Sequence, residues 1–197
     1  MIAEPVEPIE LTNPAVEARV VAVLVTAFAA DPAVRWMYPD AQQYLAHFPD
    51  FARAFGGKAF EHGAADELVG HSAAALWLPP NVQPDEAAVV AVLQRSMNEA
   101  RLPEGLSLLE QMVGFHPSGP HWYLPLIGVD PSEQGRGCGS ALLRRGLARC
   151  DADGIPAYLE STNQRNVPLY ERLGFKVVGQ IKTKTSPAIV PMVRLAL

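Results

Sequence analysis

Three glycines, Gly135, Gly137 and Gly139, alternate along the chain toward the end of its third quarter. Glycine adopts positive φ at little cost and has no Cβ, so such a segment can bring its backbone close to a ligand. It lies between an apolar run, residues 122–129, and a run of helical spacing. Because a helix starts with unpaired N–H groups at the positive end of its dipole, the pattern predicts an anion-binding loop, with an ordinary strand-to-helix turn as the alternative.

Two common phosphate-binding motifs do not fit this segment. The Walker pattern needs GxxxxGK followed by Ser or Thr, and no Lys occurs between Lys58 and Lys176, which disfavours a nucleoside triphosphatase. The dinucleotide fingerprint GxGxxG would place Ser140 at its third glycine, which disfavours a dinucleotide-binding protein.

The loop instead resembles the acyl-CoA loop of the Gcn5-related N-acetyltransferases, the GNAT superfamily. That motif is written Q/R-x-x-G-x-G/A, and Gln134, Gly137 and Gly139 match it. Upstream, residues 121–131 are similar to the family's fourth strand. Downstream, residues 158–163 look like its fifth strand, and residues 166–175 look like its short helix with the signature LYExxGF. The resemblance covers roughly residues 120–197.

The resemblance implies an α+β fold, layered α/β/α. A mixed, mostly antiparallel central sheet would have helices on both faces, as in the acyl-CoA N-acyltransferases. At 197 residues the chain suits one domain, which we expect to span residues 1–197. About 1–119 would form the acceptor-side half, and about 120–197 the acyl-CoA-binding half.

The implied chemistry is direct transfer of an acetyl group from acetyl-CoA to a primary amine. A bulge in the fourth strand would free a backbone N–H near Gly128 and Val129 for the developing oxyanion. Tyr170 stands where the family's general acid stands, and a phenol with an ordinary pKa of ~10 holds its proton at neutral pH. Glu160 is the first candidate for the base, and Glu110 and His121 are weaker ones.

The residues expected to bind acetyl-CoA come from the fourth strand, the glycine loop and the short helix. They are Ile127, Gly128, Val129, Gln134, Gly135, Arg136, Gly137, Cys138, Gly139, Ser140, Asn163, Asn166 and Tyr170. Other interpretations stay open for three of these positions and for Glu160. Tyr170 could be a core aromatic, Asn163 and Asn166 could be turn and cap residues, and Glu160 could be a salt-bridged or solvent-facing strand residue.

The acceptor is less well defined by the sequence. The amino-terminal half is rich in aromatic and acidic residues, and its candidate pocket residues are Phe28, Asp31, Trp36, Tyr38 and Trp77, the last followed by Leu78-Pro79-Pro80. Such a pocket favours a small organic amine over an extended peptide. Two alternatives remain: an acetyltransferase that acts on protein amines, and a non-catalytic acyl-CoA-binding sensor or partner subunit.

Composition limits the partners. The formal net charge is −5 and no basic run occurs, so nucleic acid is an unexpected partner. The two cysteines are too few for a disulfide framework or a zinc site, and no metal is expected.

The N-terminus does not resemble a secretory signal, and the apolar run at 20–30 is too short to cross a bilayer. We expect a cytoplasmic protein with no membrane partner, and a homodimer is possible.

Local patterns predict the elements that position these residues. Predicted helices lie near 14–31, 41–56 (with a possible break at Pro49), 85–101, 106–114, 139–153 and 166–173. Predicted strands lie at 71–78, 122–129 and 157–161, with a terminal antiparallel pair at 176–183 and 188–195. Asn13, Asn166 and Gly154 are expected to cap helices.

Overall fold

The computed structural model describes residues 13–68 and 70–197, and the backbone of residues 6–8. Its centre is a mixed sheet of seven strands in the order β1-β2-β3-β4-β5-β7-β6, in which β4 and β5 are parallel and every other neighbouring pair is antiparallel. The strands are β1 (Val6–Pro8), β2 (Ala65–Leu68), β3 (Ala73–Leu78), β4 (Trp122–Val129), β5 (Ala157–Ser161), β6 (Lys176–Val177) and β7 (Val190–Arg194).

Eight α-helices accompany the sheet in the described residues. They are α1 (Pro14–Phe28), α2 (Pro32–Met37), α3 (Ala41–Gly56), α4 (Lys58–Glu61), α5 (Glu86–Ser96), α6 (Leu102–Phe115), α7 (Cys138–Asp153) and α8 (Val167–Arg172). The predicted α+β architecture, with a mixed and mostly antiparallel sheet between two helical layers, is confirmed.

The two faces of the sheet carry different helices, and β3 shows how its residues divide between them. Ala74, Leu76 and Leu78 belong to a core formed with α1, α3, α5 and α6. Ala73, Ala75 and Trp77 alternate with them and belong to a second core formed with α7 and α8. All six residues are buried, which a run of apolar residues without polar alternation predicts for a strand covered on both faces.

Several element boundaries differ from the sequence prediction. The helix predicted over 85–101 ends at Ser96, and the one predicted over 106–114 begins at Leu102 with Pro103 in its first turn. Pro49 lies inside a single helix, α3, and does not divide it. The sequence reading missed α2, α4, β1 and β2. No helix of the described residues is long and apolar enough to span a membrane.

The caps are confirmed at two of three predicted positions. The Asn13 side chain accepts a hydrogen bond from Ala15 N, and Gly154 ends α7 in the left-handed conformation. Asn166 has no side-chain cap bond, so this prediction is wrong: its backbone is already helical, because a 3-10 turn at 164–166 runs directly into α8. Asn163 caps that turn by accepting from Arg165 N.

Candidate active site

The site begins where the parallel strands β4 and β5 separate. Their register pairs are Trp122–Ala157, Tyr123–Tyr158 and Leu124–Leu159 among the described residues, and the next residue of β4 is Pro125. Trp122 N still donates to Pro156 O on the β5 side, but between the β3–β4 pairs Leu78–Tyr123 and Leu76–Leu126 strand β4 has one extra residue. This bulge next to Pro125 changes the edge that the following amides face, so the β4–β5 ladder ends there. The two strands open a gap beyond this point, while β4 stays paired with β3 as far as Val129.

Backbone alternation indicates which β4 amides face the gap. Asp130 N donates to Ser72 O on the β3 side, at 2.7 Å. Because successive N–H groups along a strand point to opposite edges, the amides of Val129 and Ile127 point toward β5. Ile127 therefore presents an N–H inside the gap, which is where a transferase would stabilise an oxyanion.

Gly128 has a different role from the one its sequence position predicts. The bulge expected near Gly128 and Val129 lies upstream, between Tyr123 and Leu126, and Gly128 itself pairs regularly with Ala74. A Cβ at Gly128 would lie 2.6 Å from Ala27 Cβ and 3.1 Å from Leu24 Cδ2. The residue is glycine because α1 approaches β4 closely, and this contact brings the C-terminal end of α1 to the gap.

The glycine loop connects β4 to α7. Asp130 caps a 3-10 turn by accepting from Ser132 N and Oγ, and Gln134 Nε2 donates to Val129 O at 3.2 Å. Gly135 and Gly137 have φ of +77° and +91°, with no atom within 4 Å of where a Cβ would stand. The loop thus has open space beside its left-handed residues, which distinguishes it from a packed turn.

The first turn of α7 has free amides. Gly137 is the N-cap residue and supplies no side chain, and the first helical bond runs from Ala141 N to Gly137 O. The N–H groups of Cys138, Gly139 and Ser140 precede that bond, so they have no partner within the helix. Together with the helix dipole they form a position suited to a diphosphate.

The gap and the loop open into one cavity of about 700 Å³, within the range of small-molecule sites. Twelve of the thirteen residues predicted to bind acetyl-CoA line it: Ile127, Gly128, Val129, Gln134, Gly135, Gly137, Cys138, Gly139, Ser140, Asn163, Asn166 and Tyr170. Arg136 does not line it; its exposed side chain pairs with Glu133 at 2.9 Å. Glu160 also lines the cavity.

Tyr170 lies on α8 at the wall of the cavity and is 5% exposed. Burial, followed by the nearby negative charge of Asp31, raises the pKa of its phenol well above the ordinary value. The phenol therefore keeps its proton at neutral pH, as a general acid must. Its ring also contacts Phe175 edge-on with centroids 6.0 Å apart, so it packs against the core as well.

Asp31 is a buried acid that lines the same cavity, between α1 and α2. Its Oδ1 accepts from Ala33 N and Val34 N and caps α2, and its Oδ2 accepts from Thr162 Oγ1 at 2.6 Å. Burial raises the pKa of this carboxyl, although the Thr162 bond acts in the opposite direction. The contact joins the amino-terminal half of the chain to the end of β5, directly at the cavity.

Glu160 points to the same side of the sheet as Tyr158, two residues before it on β5. Its side chain is 3% exposed, and Oε1 lies 3.5 Å from Nε2 of His116. Burial and the charge of Glu160 raise the pKa of Tyr158 and of Tyr123, so both hydroxyls lie near the carboxylate, yet neither makes a hydrogen bond of good geometry. A buried carboxylate flanked by protonated phenols fits a proton acceptor.

Comparisons with known proteins agree with this geometry. The model of the acetyltransferase (GNAT) family matches residues 29–175, more than half of the chain. This chain belongs to the GNAT family. Membership classes it as an acyltransferase, and the resemblance noted in its sequence is confirmed.

Individual relatives cover different shares of the chain. A mycothiol acetyltransferase of Propionibacterium freudenreichii is 31% identical over 157 residues, which are 72% of this chain and 48% of that protein. An uncharacterized N-acetyltransferase of Schizosaccharomyces pombe is 44% identical over 54 residues, which are 27% of this chain and 22% of that protein. The chain thus spans about half or less of these relatives' lengths.

Solved structures share the fold over the whole chain. One from Corynebacterium glutamicum, described as histone acetyltransferase HPA2 and related acetyltransferase, has a TM-score of 0.69 and 28% identity, and covers 100% of this chain and 98% of its own. The C-terminal condensation domain of Ebony has a TM-score of 0.72 at 12% identity over the full length of both chains, which shows the fold alone.

Other predicted residues of this GNAT chain lie away from the cavity. Glu110 is exposed on α6. His121 is buried, and its ring nitrogens contact Nδ1 of His116 and Gly119 O. Neither lines the cavity.

The aromatic residues predicted for the acceptor pocket divide into three groups. Phe28 lines the cavity together with Asp31, as predicted. Trp36 and Tyr38 are buried behind it, where they bond to Thr185 and Ser96. Trp77 lies on the other face of the sheet against Gly146, so its placement in the pocket was wrong; alternation along β3 turns it toward α7.

Proposed function

We propose that this GNAT protein transfers an acetyl group from acetyl-CoA to a primary amine of a small molecule, by direct attack on the thioester. The observation that carries the proposal is the single cavity in which the β4–β5 gap, the glycine loop, Tyr170 and two buried carboxylates meet. Loop amides and the α7 N-terminus would hold the diphosphate, and the pantetheine arm would enter the gap.

The reacting groups then have definite tasks. As the amine nitrogen bonds to the carbonyl carbon, the Ile127 N–H stabilises the negative oxygen. As the C–S bond breaks, Tyr170 gives its proton to the departing thiolate. Glu160 accepts a proton from the attacking amine, because an amine with a pKa near ~10.4 is mostly protonated at neutral pH and must lose one before it attacks.

Asp31 supports a cationic acceptor. It is a buried carboxyl at the cavity wall, and three hydrogen bonds hold it. Its charge raises the pKa of Tyr170, so it acts close to the proposed transfer point. A small amine fits a cavity of about 700 Å³ lined by Phe28, Phe48 and Phe51. The relatives named mycothiol acetyltransferases also favour a small-molecule acceptor over a protein amine.

We also propose that the chain acts as one GNAT domain. The half before residue 120 would form the acceptor side, and the half after it would bind acetyl-CoA. A cytoplasmic location agrees with two free cysteines, Cys138 and Cys150. We propose no nucleic-acid or membrane partner.

The test is a thiol-release assay with acetyl-CoA and a panel of small amines, polyamines and peptides that carry a free amino terminus or lysine. The proposal predicts release with at least one small cationic amine, loss of release in Tyr170→Phe, and little release with peptides. Binding of acetyl-CoA without turnover of any amine would favour the sensor alternative. Faster turnover of peptides would favour a protein acceptor.

A further inference from the structure

Two histidines behind Glu160 form a chain that ends at the protein surface. Nδ1 of His116 lies 2.9 Å from Nε2 of His121, and Nδ1 of His121 lies 2.8 Å from Gly119 O. His116 follows α6 and His121 precedes β4, so a short loop, residues 117–120, holds the two rings together. The rings of Tyr123 and Tyr158 pack against His116, with centroids 4.6 and 4.4 Å away.

The carbonyl at the end of this chain fixes the tautomer of both rings. A carbonyl only accepts, so Nδ1 of His121 carries a proton, and in the neutral ring Nε2 is then the acceptor. Nδ1 of His116 must therefore donate to it, and in the neutral form of His116 this leaves Nε2 without a proton. Burial lowers the pKa of His121, in agreement with a neutral ring.

This assignment places two acceptors opposite each other. Nε2 of His116 faces Oε1 of Glu160 across 3.5 Å, and Oε1 is a buried atom with no hydrogen-bond donor among the described residues. Buried acceptors are normally satisfied, and leaving one without a donor destabilises the folded protein. One proton placed between Nε2 of His116 and Oε1 of Glu160 would give each atom a hydrogen-bond partner.

We propose that Glu160 and His116 share the proton that the acceptor amine loses, and that His121 is the positioning residue that keeps Nε2 of His116 free to receive it. This rests on the proposed function. The ammonium form of the amine gives one proton to the pair, and the neutral nitrogen then forms its bond to the acetyl carbon. The C–S bond breaks and the thiolate takes the Tyr170 proton. The second proton of the nitrogen passes through water to restore Tyr170, and the pair releases its own proton to water.

The groups that face the pair come from three elements. Tyr158 shares β5 with Glu160, Tyr123 comes from β4, and His121 comes from the segment just before β4. Neither histidine lines the cavity, so neither is expected to touch the amine. Their effect on catalysis passes through Glu160, and replacing them should change kcat and its pH profile without changing KM for acetyl-CoA.

The first test reads the tautomers directly and does not depend on turnover. A long-range ¹H–¹⁵N correlation spectrum of the unliganded protein at neutral pH should show His116 and His121 with the proton on Nδ1. In Glu160→Gln, His116 should remain in that form, because the amide can donate to Nε2. A His116 signal with the proton on Nε2 in the wild-type protein would overturn the proposal, whether or not any amine is turned over.

The second test is kinetic. His116→Gln should lower kcat roughly 10- to 100-fold, since general acid–base catalysis typically contributes a hundredfold or more and Glu160 is retained. His62→Gln, at an exposed histidine after α4, is the matched control and should behave like the wild type. Added imidazole should restore part of kcat in His116→Gly. Unchanged kcat and pH profile in a folded His116→Gln protein that still binds acetyl-CoA would refute the shared proton.

An inactive wild type with the predicted tautomers would refute the proposed function while leaving the proton site in place. An active wild type with the other tautomer would refute the proton site alone. The two failures are therefore distinguishable.

Discussion

At the scale of single residues, the pKa values of Tyr170 and Asp31 are both raised by their surroundings in the cavity. Burial and the charge of Asp31 keep Tyr170 protonated, and burial also raises the pKa of Asp31 itself. Both shifts arise from desolvation in the same cavity, so removal of either group should affect activity more than folding.

Tyr170→Phe should lower kcat about a hundredfold or more while KM for acetyl-CoA changes little, because the ring still packs against Phe175 and only the proton donor is lost. Steady-state thiol release over a range of acetyl-CoA concentrations measures both constants. Wild-type kcat in the Phe variant would remove Tyr170 from the mechanism.

Asp31→Asn should raise KM for a cationic amine about tenfold, because the amide keeps the α2 cap but lacks the charge. Asp40→Asn is the matched control: Asp40 caps α3 in the same way but lies away from the cavity. Equal KM values in the wild type and Asp31→Asn would show that this carboxyl does not bind the amine.

Asp31 should also affect stability in a pH-dependent way. Its pKa is raised in the folded protein, so ionisation costs folding free energy that appears as the pH rises above the ordinary Asp value and through the folded one. Relative to the wild type, Asp31→Asn should therefore become more stable as the pH rises through this window. Denaturant unfolding at several pH values measures the difference, and the opposite trend would contradict the shift.

At the scale of elements, the long helices and the central strands could be predicted from local patterns, and the short elements could not. Helix α3 has its predicted bounds, whereas the strand predicted over 176–183 is limited to Lys176–Val177. Strand β4 and its loop, helix α7 and strand β5 have clear apolar periods and glycine boundaries, and their predicted ranges were confirmed to within a residue. Helix α2 is only six residues long, and β2 contains Asp66, whose burial depends on Arg145 and Arg149 of distant α7. Such long-range pairing leaves no local pattern.

The candidate site also contains some residues that could be predicted from the sequence and others that could not. The loop glycines are recognisable by their spacing and Tyr170 by the resemblance of its segment to the family's LYExxGF helix, whereas the contact of Asp31 with Thr162 joins residues 131 positions apart. The separation of β4 from β5 follows a bulge next to Pro125, and the sequence analysis expected this bulge a few residues later, near Gly128 and Val129. Trp77 was misplaced because an all-apolar strand does not indicate which face each residue occupies.

The glycine loop should be sensitive to a Cβ for conformational reasons. Gly137→Ala and Gly154→Ala both place alanine in the left-handed region, at φ +91° and +66° at opposite ends of α7, with no atom within 4 Å of the new Cβ. Each should lose about 1 kcal/mol of stability. Only Gly137→Ala should raise KM for acetyl-CoA, by about tenfold, since only Gly137 lines the cavity. Equal KM values would argue against the loop as the diphosphate site.

At the scale of the whole molecule, the last strand and the longest carboxy-terminal helix are joined by ion pairing. Arg194 of β7 donates two hydrogen bonds to Asp151 of α7 and a third to Leu173 O at the end of α8. The Arg194 side chain is 6% exposed, so it has little water to replace a lost partner. This contact holds α7 and α8 in place on one face of the sheet, and they carry the loop amides and Tyr170.

Asp151→Asn should lower the unfolding free energy by about 1–3 kcal/mol at neutral pH. The Arg194 hydrogen bonds lower the pKa of Asp151, so its contribution is present above the ordinary Asp value and is lost as the pH falls through the folded one. The difference from the wild type should therefore shrink in acid. Glu61→Gln, at an exposed acid, is the control, and a difference that grows in acid would contradict the pairing.

The central claim is that the backbone amides of the glycine loop bind the diphosphate of coenzyme A. An amide ¹H–¹⁵N spectrum titrated with acetyl-CoA, NAD or ATP tests it most directly. We expect saturable shifts with acetyl-CoA at Gly135, Gly137 and residues 138–140, with a further shift at Ile127, and no comparable response to NAD or ATP. Shifts at these amides with NAD or ATP alone, or none there when acetyl-CoA binds, would contradict the account.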